Sequence, residues 1–423
     1  MIRSSRRHAA VSLCCFLCSV FLSGVFSRPA AAQDPVPELE PRSEHTVYEA
    51  AEKQMYQGQL AQGEILLQNA LAENPSDDRA RFQLGILQFL RAIENLGQSL
   101  YEHGAVSEKA RQPFLRLPIP HNPDPATIGY RDVQRILDLL GFELRRAEST
   151  LAGIDDDTVI TPLRLASIQL DFTQGRKPPT SLLKVMEQFN GGPLSFANDN
   201  PDFLVHFDRG DVAWLRAYCH LLCSMLEGYL AIDGEIGFEE RVKDIFPKIQ
   251  PSTRETPKGW YEQLPIVDGP RLRRMRLHIL AVCDLNKETW HHIRSETDDS
   301  FEWLPHPKQT DQLGIPITES QIDAWLSMMQ ELRGLFNGDS LVTSQWLQYL
   351  YPKHPDGVGL NLAKVLDAPR SDLFNWQRIQ KEGIAPEFLE DEEGKDHFNP
   401  LVLVRVAGAF NGPFGFFSAI RLN

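Results

Sequence analysis

Apolar residues recur at every third or fourth position along most of this chain, which is the spacing of a helix face packed against a core. Val47, Ala50, Ala51 and Met55 share one face, and a turn follows at Gly58. Ile65, Leu66, Ala70 and Leu71 make the next face, which Asn74-Pro75 closes, and a third run carries Phe82, Leu84, Gly85, Leu87 and Leu90. Val133, Ile136, Leu137, Leu140, Leu144 and Ala147 predict a further helix. The strongest element runs from Asp211 to Ile232, with one stripe of Val212, Leu215, Cys219, Leu222, Leu226 and Tyr229. A second stripe of Trp214, Tyr218, Leu221, Met225 and Ile232 leaves little polar surface, so this helix is expected at the centre of the fold. Pro270 opens another helix at the favoured first position, with Leu272, Met275, Ile279, Val282, Trp290 and Ile293 on one side. Thr318 and Gln321 form a capping box ahead of Ile322, Trp325, Leu326, Met329, Leu332 and Leu335, and Gly338 stops that helix.

Two stretches break the helical period. Val159–Phe172 fits either a short strand or a buried helix, and periodicity does not separate the two. Leu401–Ala407 and Phe414–Leu422, rich in β-formers around Asn411-Gly412-Pro413, predict a hairpin. The expected architecture is therefore mainly α. Repeat-like helical hairpins over residues 44–104 pack on a larger, mostly helical body over 128–423 that ends in a small C-terminal β-hairpin. A Pro-rich connector over 112–127 joins the two, with Pro113, Pro118, Pro120, Pro123 and Pro125.

The first thirty-two residues follow a different pattern. Arg3, Arg6 and Arg7 precede an uncharged apolar run from Ala9 to Phe26, and Ala30-Ala31-Ala32 follow. A basic head, an apolar core and a small-residue site predict a secretory signal peptide cut after Ala32. An uncleaved membrane anchor is the alternative, since the core approaches the length of a span. Residues 33–43, rich in Pro and Glu, read as a disordered spacer. The expected location is outside the cytoplasm, periplasmic or extracellular. No second run of about eighteen apolar residues occurs, so no membrane insertion is expected after cleavage.

Removing residues 1–32, with their four arginines and no acid, takes the formal charge from −14 to −18. That balance argues against nucleic acid, whose binding rests on Lys and Arg contacts to phosphate, and against anionic lipid surfaces. The six cysteines fall to three, because Cys14, Cys15 and Cys18 lie in the leader. No small residues precede these as a lipoprotein signal requires, so no lipid anchor is expected. Cys219, Cys223 and Cys283 are too few for a disulfide framework, although one bridge from Cys283 to Cys219 or Cys223 is open.

Residues 44–104 resemble the tetratricopeptide repeat, a helix–turn–helix unit of about 34 residues. With Pro75 as the closing proline, Ala51, Gly58, Leu67 and Ala70 occupy that family's small and apolar positions. The next unit begins near Asp78, supplies Leu84-Gly85, and puts Tyr101 at a large-residue position. The aromatic near the start of each first helix is missing, and Gly63 and Gly97 replace packing alanines. The resemblance implies a concave surface for a protein or peptide partner, with Tyr56, Phe82, Phe89 and Tyr101 as its expected lining. The rest of the chain is similar to a group of uncharacterised secreted bacterial proteins. That likeness rests on Gly210-Asp211, Trp214-Leu215-Arg216, Tyr218-Cys219-His220, on Pro316 and Thr318 leading to Trp325, and on Gly357-Val358-Gly359-Leu360-Asn361-Leu362. It implies a shared architecture and no chemistry.

Several constellations hold residue types that carry chemistry. Cys219 and Cys223 share a helix face and would offer two thiolates to zinc, which needs two further ligands, such as Cys283 or His278. Packing is the simpler role, since free Cys is among the most buried residue types. His220 follows Cys219 directly, so the two side chains diverge and do not make a nucleophile–base pair. The polar stripe Arg216, His220 and Glu227 either faces solvent or lines a cleft for an anion. His291 and His292, with Glu296, Asp298 and Asp299, have metal-ligand types but no His-Glu-x-x-His frame. Arg271, Arg273, Arg274 and Arg276 oppose the helix dipole at their helix start, which calls for internal carboxylates or an anionic partner.

The chain has no Gly-x-Ser-x-Gly elbow, phosphate-binding Gly-Lys-Ser/Thr loop, dinucleotide fingerprint or EF-hand loop. No catalytic, cofactor-binding or metal residue is assigned from the sequence. The expected function is that of an exported helical scaffold that binds a protein or peptide. The alternatives are a binding protein for a small molecule or envelope component, and a hydrolase with a site built from scattered residues.

Overall fold

The computed structural model describes residues 46–110, 115–190, 193–194, 200–252, 254–310 and 317–410. The leader, the spacer, Pro113, Pro316, Asn198-Asp199 and the second arm of the expected hairpin (414–422) lie outside them. Among the described residues, thirteen α-helices and five pairs of short strands make a mainly α fold. No helix among them is long and apolar enough to cross a membrane.

α1 (Val47–Tyr56) starts at a capping box between Thr46 and Glu49 and turns at Gly58 (φ 69°) into α2 (Leu60–Glu73). α3 (Asp78–Glu102) is capped by Asp77 and runs unbroken past Gly97, through the position where a second helix–turn–helix unit would turn. α4 (Tyr130–Leu151) lies along α3. The buried Glu64 of α2 joins these helices by accepting from Arg91 and Gln88 of α3 and from Arg146 of α4.

The ambiguous stretch after α4 is extended. β1 (Thr161–Arg164) leads into a 3₁₀ turn and a two-residue strand, Gln169–Leu170, which pairs with Thr180–Ser181. α5 (Leu182–Asn190) comes next. β2 (Leu204–Phe207) pairs antiparallel with β1, Thr161 opposite Phe207.

α6 (Arg209–Ala231) is the central helix that the two apolar stripes predict. Asp208 caps it by accepting from the amides of Gly210 and Asp211, and Asp211 accepts in return from the Asp208 amide. The short α7 (Phe238–Val242) precedes α8 (Gly269–Ser295), which has proline in its first turn and packs along α6. α9 (Glu319–Asn337) has the expected Thr318–Gln321 capping box and stops at Gly338 (φ 84°). α10 (Ser344–Leu350), α11 (Leu362–Asp367) and α12 (Trp376–Glu382) complete the outer layer.

The expected first arm of the C-terminal hairpin is helical. α13 (Leu401–Ala409) buries Val402, Val406 and Phe410, spaced by four, in the cluster that holds Met328 and Met329 of α9. A helical face that packs on a core outweighs the β preference of valine, which is weak and dependent on context.

One cluster of buried side chains runs from Ala51 through α3, α4 and β2 to Leu230 and Phe246, so the repeat-like helices and the body share a core. A second lies between α8, α9 and α13, and Trp214 and Trp303 pack against both. This continuity explains how so few repeat-like helices stay folded, since helix pairs of this type bury their apolar faces only against neighbours.

Candidate functional site

The candidate residues fall into three groups, two picked out by sequence and engaged internally and a third that the structure brings together. Arg216 and His220 both reach a carboxylate of α4. Arg216 Nε donates to Glu148 Oε1 at 3.1 Å, and His220 Nε2 lies 3.5 Å from the same oxygen. Burial pushes the Glu148 carboxyl up, but His220 and Arg216 outweigh it and hold the group below its ordinary range. On its other side, His220 Nδ1 meets His278 Nδ1 of α8 at 2.8 Å. Glu227 is buried and takes Arg274 in a two-pronged pair, Nε to Oε1 and Nη2 to Oε2, both at 3.1 Å. Arg271 Nη1 adds a third donor at 3.2 Å, and Arg145 lies 3.7 Å away. The arginine-rich start of α8 is thus paired inside the chain, with Asp138 and Asp268 also on Arg271 and with Asp367 on Arg276 and Arg273.

The expected partner-facing aromatics are mostly core residues. Phe82 is fully buried and Tyr101 nearly so. Phe89 packs edge-on to Tyr218, and Tyr56 bonds to Glu52 and to the Arg164 amide. α4 and β1 pack on α3, and that contact accounts for the burial. Cys219, Cys223 and Cys283 are buried free thiols without a disulfide. Burial pushes Cys223 and Cys283 up to about 12 and Cys219 well above the thiol range, the reverse of a reactive or zinc-binding thiolate. His291 and His292 stack edge to face on each other at 5.6 Å.

The third group is one that the sequence does not announce. A cavity of about 140 Å³ lies between the end of α3, the first turns of α4 and α7. Its walls are apolar: Leu100, Val133, Ile136 and Leu137 on one side, Ile245 and Phe246 on the other. Its polar groups are Tyr229 and Arg241.

Local backbone chemistry fixes Arg241. Its Nη2 donates to the Gly234 carbonyl, and its guanidinium lies over the Tyr229 ring at 5.9 Å and the Trp260 ring at 5.3 Å. Trp260 reaches this position because Gly237 (φ 70°) presents bare backbone, where a Cβ would fall 2.5 Å from the indole. The Trp260 Nε1 donates to Glu240, one residue before Arg241, at 3.1 Å. So held, the buried Arg241 Nε has no hydrogen-bond acceptor among the described residues.

The cavity thus combines apolar walls with one permanently charged guanidinium. Tyr229 is legible in the sequence as part of an apolar stripe. Arg241 is not singled out by any sequence pattern. Comparison of this chain with protein-family models, with curated proteins and with solved structures gives no match.

Proposed function

We propose that this is an exported binding protein whose ligand is a small apolar carboxylic acid seated beside Arg241. Export rests on the basic head, apolar core and Ala30-Ala31-Ala32 of the leader. One observation carries the ligand class: Arg241, whose Nε–H lacks an acceptor among the described residues, supplies the one guanidinium in the lining of an otherwise apolar cavity. A buried donor left unmade costs about 1–3 kcal/mol, more when charged, and a carboxylate oxygen relieves that cost. Size supports a body of about six carbons, since cavities of about 150 Å³ take benzene.

Calorimetry with benzoate, hexanoate and neutral toluene tests this reading. The acids are expected to bind more tightly than toluene in the wild type, and Arg241→Gln is expected to remove that preference. Equal binding of acid and toluene, or acid binding that survives both Arg241→Gln and a bulky Val133→Phe change in the cavity wall, overturns it.

A protein partner is the second reading, favoured by the resemblance of residues 44–104 to tetratricopeptide repeats. Exposed apolar side chains available to such a partner include Ile65 of α2 and Phe142 of α4, and others on α13 and α10. Leu401 and Val404 are two-thirds exposed, and Trp346 and Tyr349 are about half exposed or more. Replacing Leu401 and Val404 by Glu is expected to abolish capture of that partner if α13 holds it.

A further inference from the structure

Four carboxyl groups meet at the N-terminal end of α6. Asp208 caps that helix, Asp211 lies in its first turn, and Glu296 is the residue that follows α8. Glu302 comes from the loop beyond, which bridges to His206 of β2. One oxygen from each of Asp208, Glu296 and Glu302 lies within 4.8 Å of the other two. Oxygens that ligate one calcium ion at about 2.3–2.6 Å are separated by up to about 5 Å, so this spacing suits a single cation.

A second observation concerns Asp211, which stands outside that trio. Its side chain is 3% exposed and faces the same three carboxylates. One oxygen takes the Asp208 amide, while Oδ1 has no donor among the described residues. Glu296 Oε1 is likewise buried without a donor there. The charges that act most on Asp211, Glu296 and Glu302 are all negative. Buried like charges of this kind persist only when protonated or neutralised by a cation.

We infer that Asp208, Glu296 and Glu302 bind one hard divalent cation of the calcium class, with the buried Asp211 carboxylate beside them, and that the ion ties the start of α6 to the end of α8. Calcium is favoured because every donor is an oxygen and the set mixes chain segments in an irregular cage. Zinc wants nitrogen or sulfur ligands, and magnesium wants a regular octahedron rich in water. Glu296 also lines an open pocket of about 400 Å³ with Asp298 and Asp299, which gives a hydrated ion a route inward. The cage differs from the His291–His292 constellation that the sequence suggests, and shares only Glu296 with it.

The test uses the whole purified protein, stripped with EDTA and titrated with CaCl₂, MgCl₂ or ZnCl₂ by calorimetry, with thermal melts alongside. The expected result is one calcium per chain, a melting temperature that climbs with calcium concentration, and weaker magnesium binding. Glu302→Gln is expected to weaken calcium binding roughly tenfold or more, since ligand charge count sets affinity in such sites. In EDTA the same variant is expected to melt no lower than the wild type, because it removes a like charge; this separates a lost ligand from a lost fold. Absence of heat and of any melting shift at about 10 mM CaCl₂, a concentration above the weakest extracellular sites, overturns the inference. Unchanged calcium binding in both Glu302→Gln and Glu296→Gln also overturns it.

Discussion

His220 of α6 and His278 of α8 face each other with their Nδ1 atoms 2.8 Å apart. At that distance one ring donates and the other accepts, so the pair tolerates one proton between the two facing nitrogens and not two. The charged groups around them are Glu148 and Arg145 of α4, Arg216 and Glu227 of α6, and Arg274 of α8. Burial, then His220, push His278 down to about 4. The two longest-packed helices of the fold therefore meet through a contact that requires neutral imidazole.

The pH dependence follows in sign. The unfolded chain takes a proton on His278 near its ordinary 6.5, while the folded chain resists until about 4. The contribution to stability is fully present above 6.5, drains away between 6.5 and 4, and amounts to about 2 kcal/mol after its partial exposure is discounted. Denaturant midpoints measured from pH 8 down to pH 4.5 are expected to fall through that window. His278→Phe is expected to flatten the slope. A midpoint difference between wild type and His278→Phe that stays constant from pH 7 to pH 4.5 contradicts the pairing.

Glu227 is the buried counter-charge for the arginines of α4 and α8. Glu227→Gln removes the anion that Arg145, Arg271 and Arg274 share, and leaves Arg271, only 18% exposed, with Asp138 and Asp268 alone. Breaking a buried pair from one side costs about 3–5 kcal/mol. The lower end is expected, because Arg145 and Arg274 are nearly half exposed and reach water. Arg273→Ala, by contrast, removes a 3.9 Å surface pair on an exposed side chain, and its effect is expected within about 1 kcal/mol. Urea unfolding of the two variants side by side reads the difference.

Sequence pattern carries the helices further than it carries the site. α6, α8 and α9 declare themselves through two-faced periodicity, a proline in the first turn and a capping box, each of which acts within a few residues. The C-terminal run Leu401–Ala409 misleads because β-branched content is a local average, while its real determinant is the distant surface of α9. Arg216, His220 and Glu227 are correctly grouped on one face of α6, but nothing local shows that Glu148, His278 and Arg274 arrive to use them. Arg241 and the four carboxylates are illegible for the same reason: Asp208 lies far in sequence from Glu296 and Glu302 and meets them only because α6 and α8 pack lengthwise.

Glycine shows the same division. Gly97, at a position where the resembled repeats carry alanine, lies in α3 against Phe172, and a Cβ there would fall 2.1 Å from the ring. Gly97→Ala is expected to destabilise by about 2 kcal/mol through overpacking, despite the roughly 1 kcal/mol that alanine gains over glycine in a helix. At Gly408 in α13, no heavy atom of the described residues lies within 4 Å of where a Cβ would sit. Gly408→Ala is therefore expected to raise stability by about 0.5–1 kcal/mol. Thermal melts that move both variants in the same direction contradict the packing at Gly97.

Cys219, Cys223 and Cys283 are each no more than 4% exposed, and burial raises all three thiols. Cys219 and Cys223, one helical turn apart, are too widely separated for the Cβ approach of about 3.5–4.5 Å that a disulfide needs. A thiolate is the reactive species, so both accessibility and ionisation protect these groups. A chain begun at Gln33 carries only these three cysteines. Under native conditions at pH 8 it is expected to react with Ellman's reagent at the rate of opening of the core rather than at the rate of a free thiol. In denaturant all three thiols are expected to react at once, without prior reduction. Two thiols missing from the denatured count would show that a bridge forms, and fast native labelling would show that α6 is less enclosed than its packing against α4 and α8 indicates.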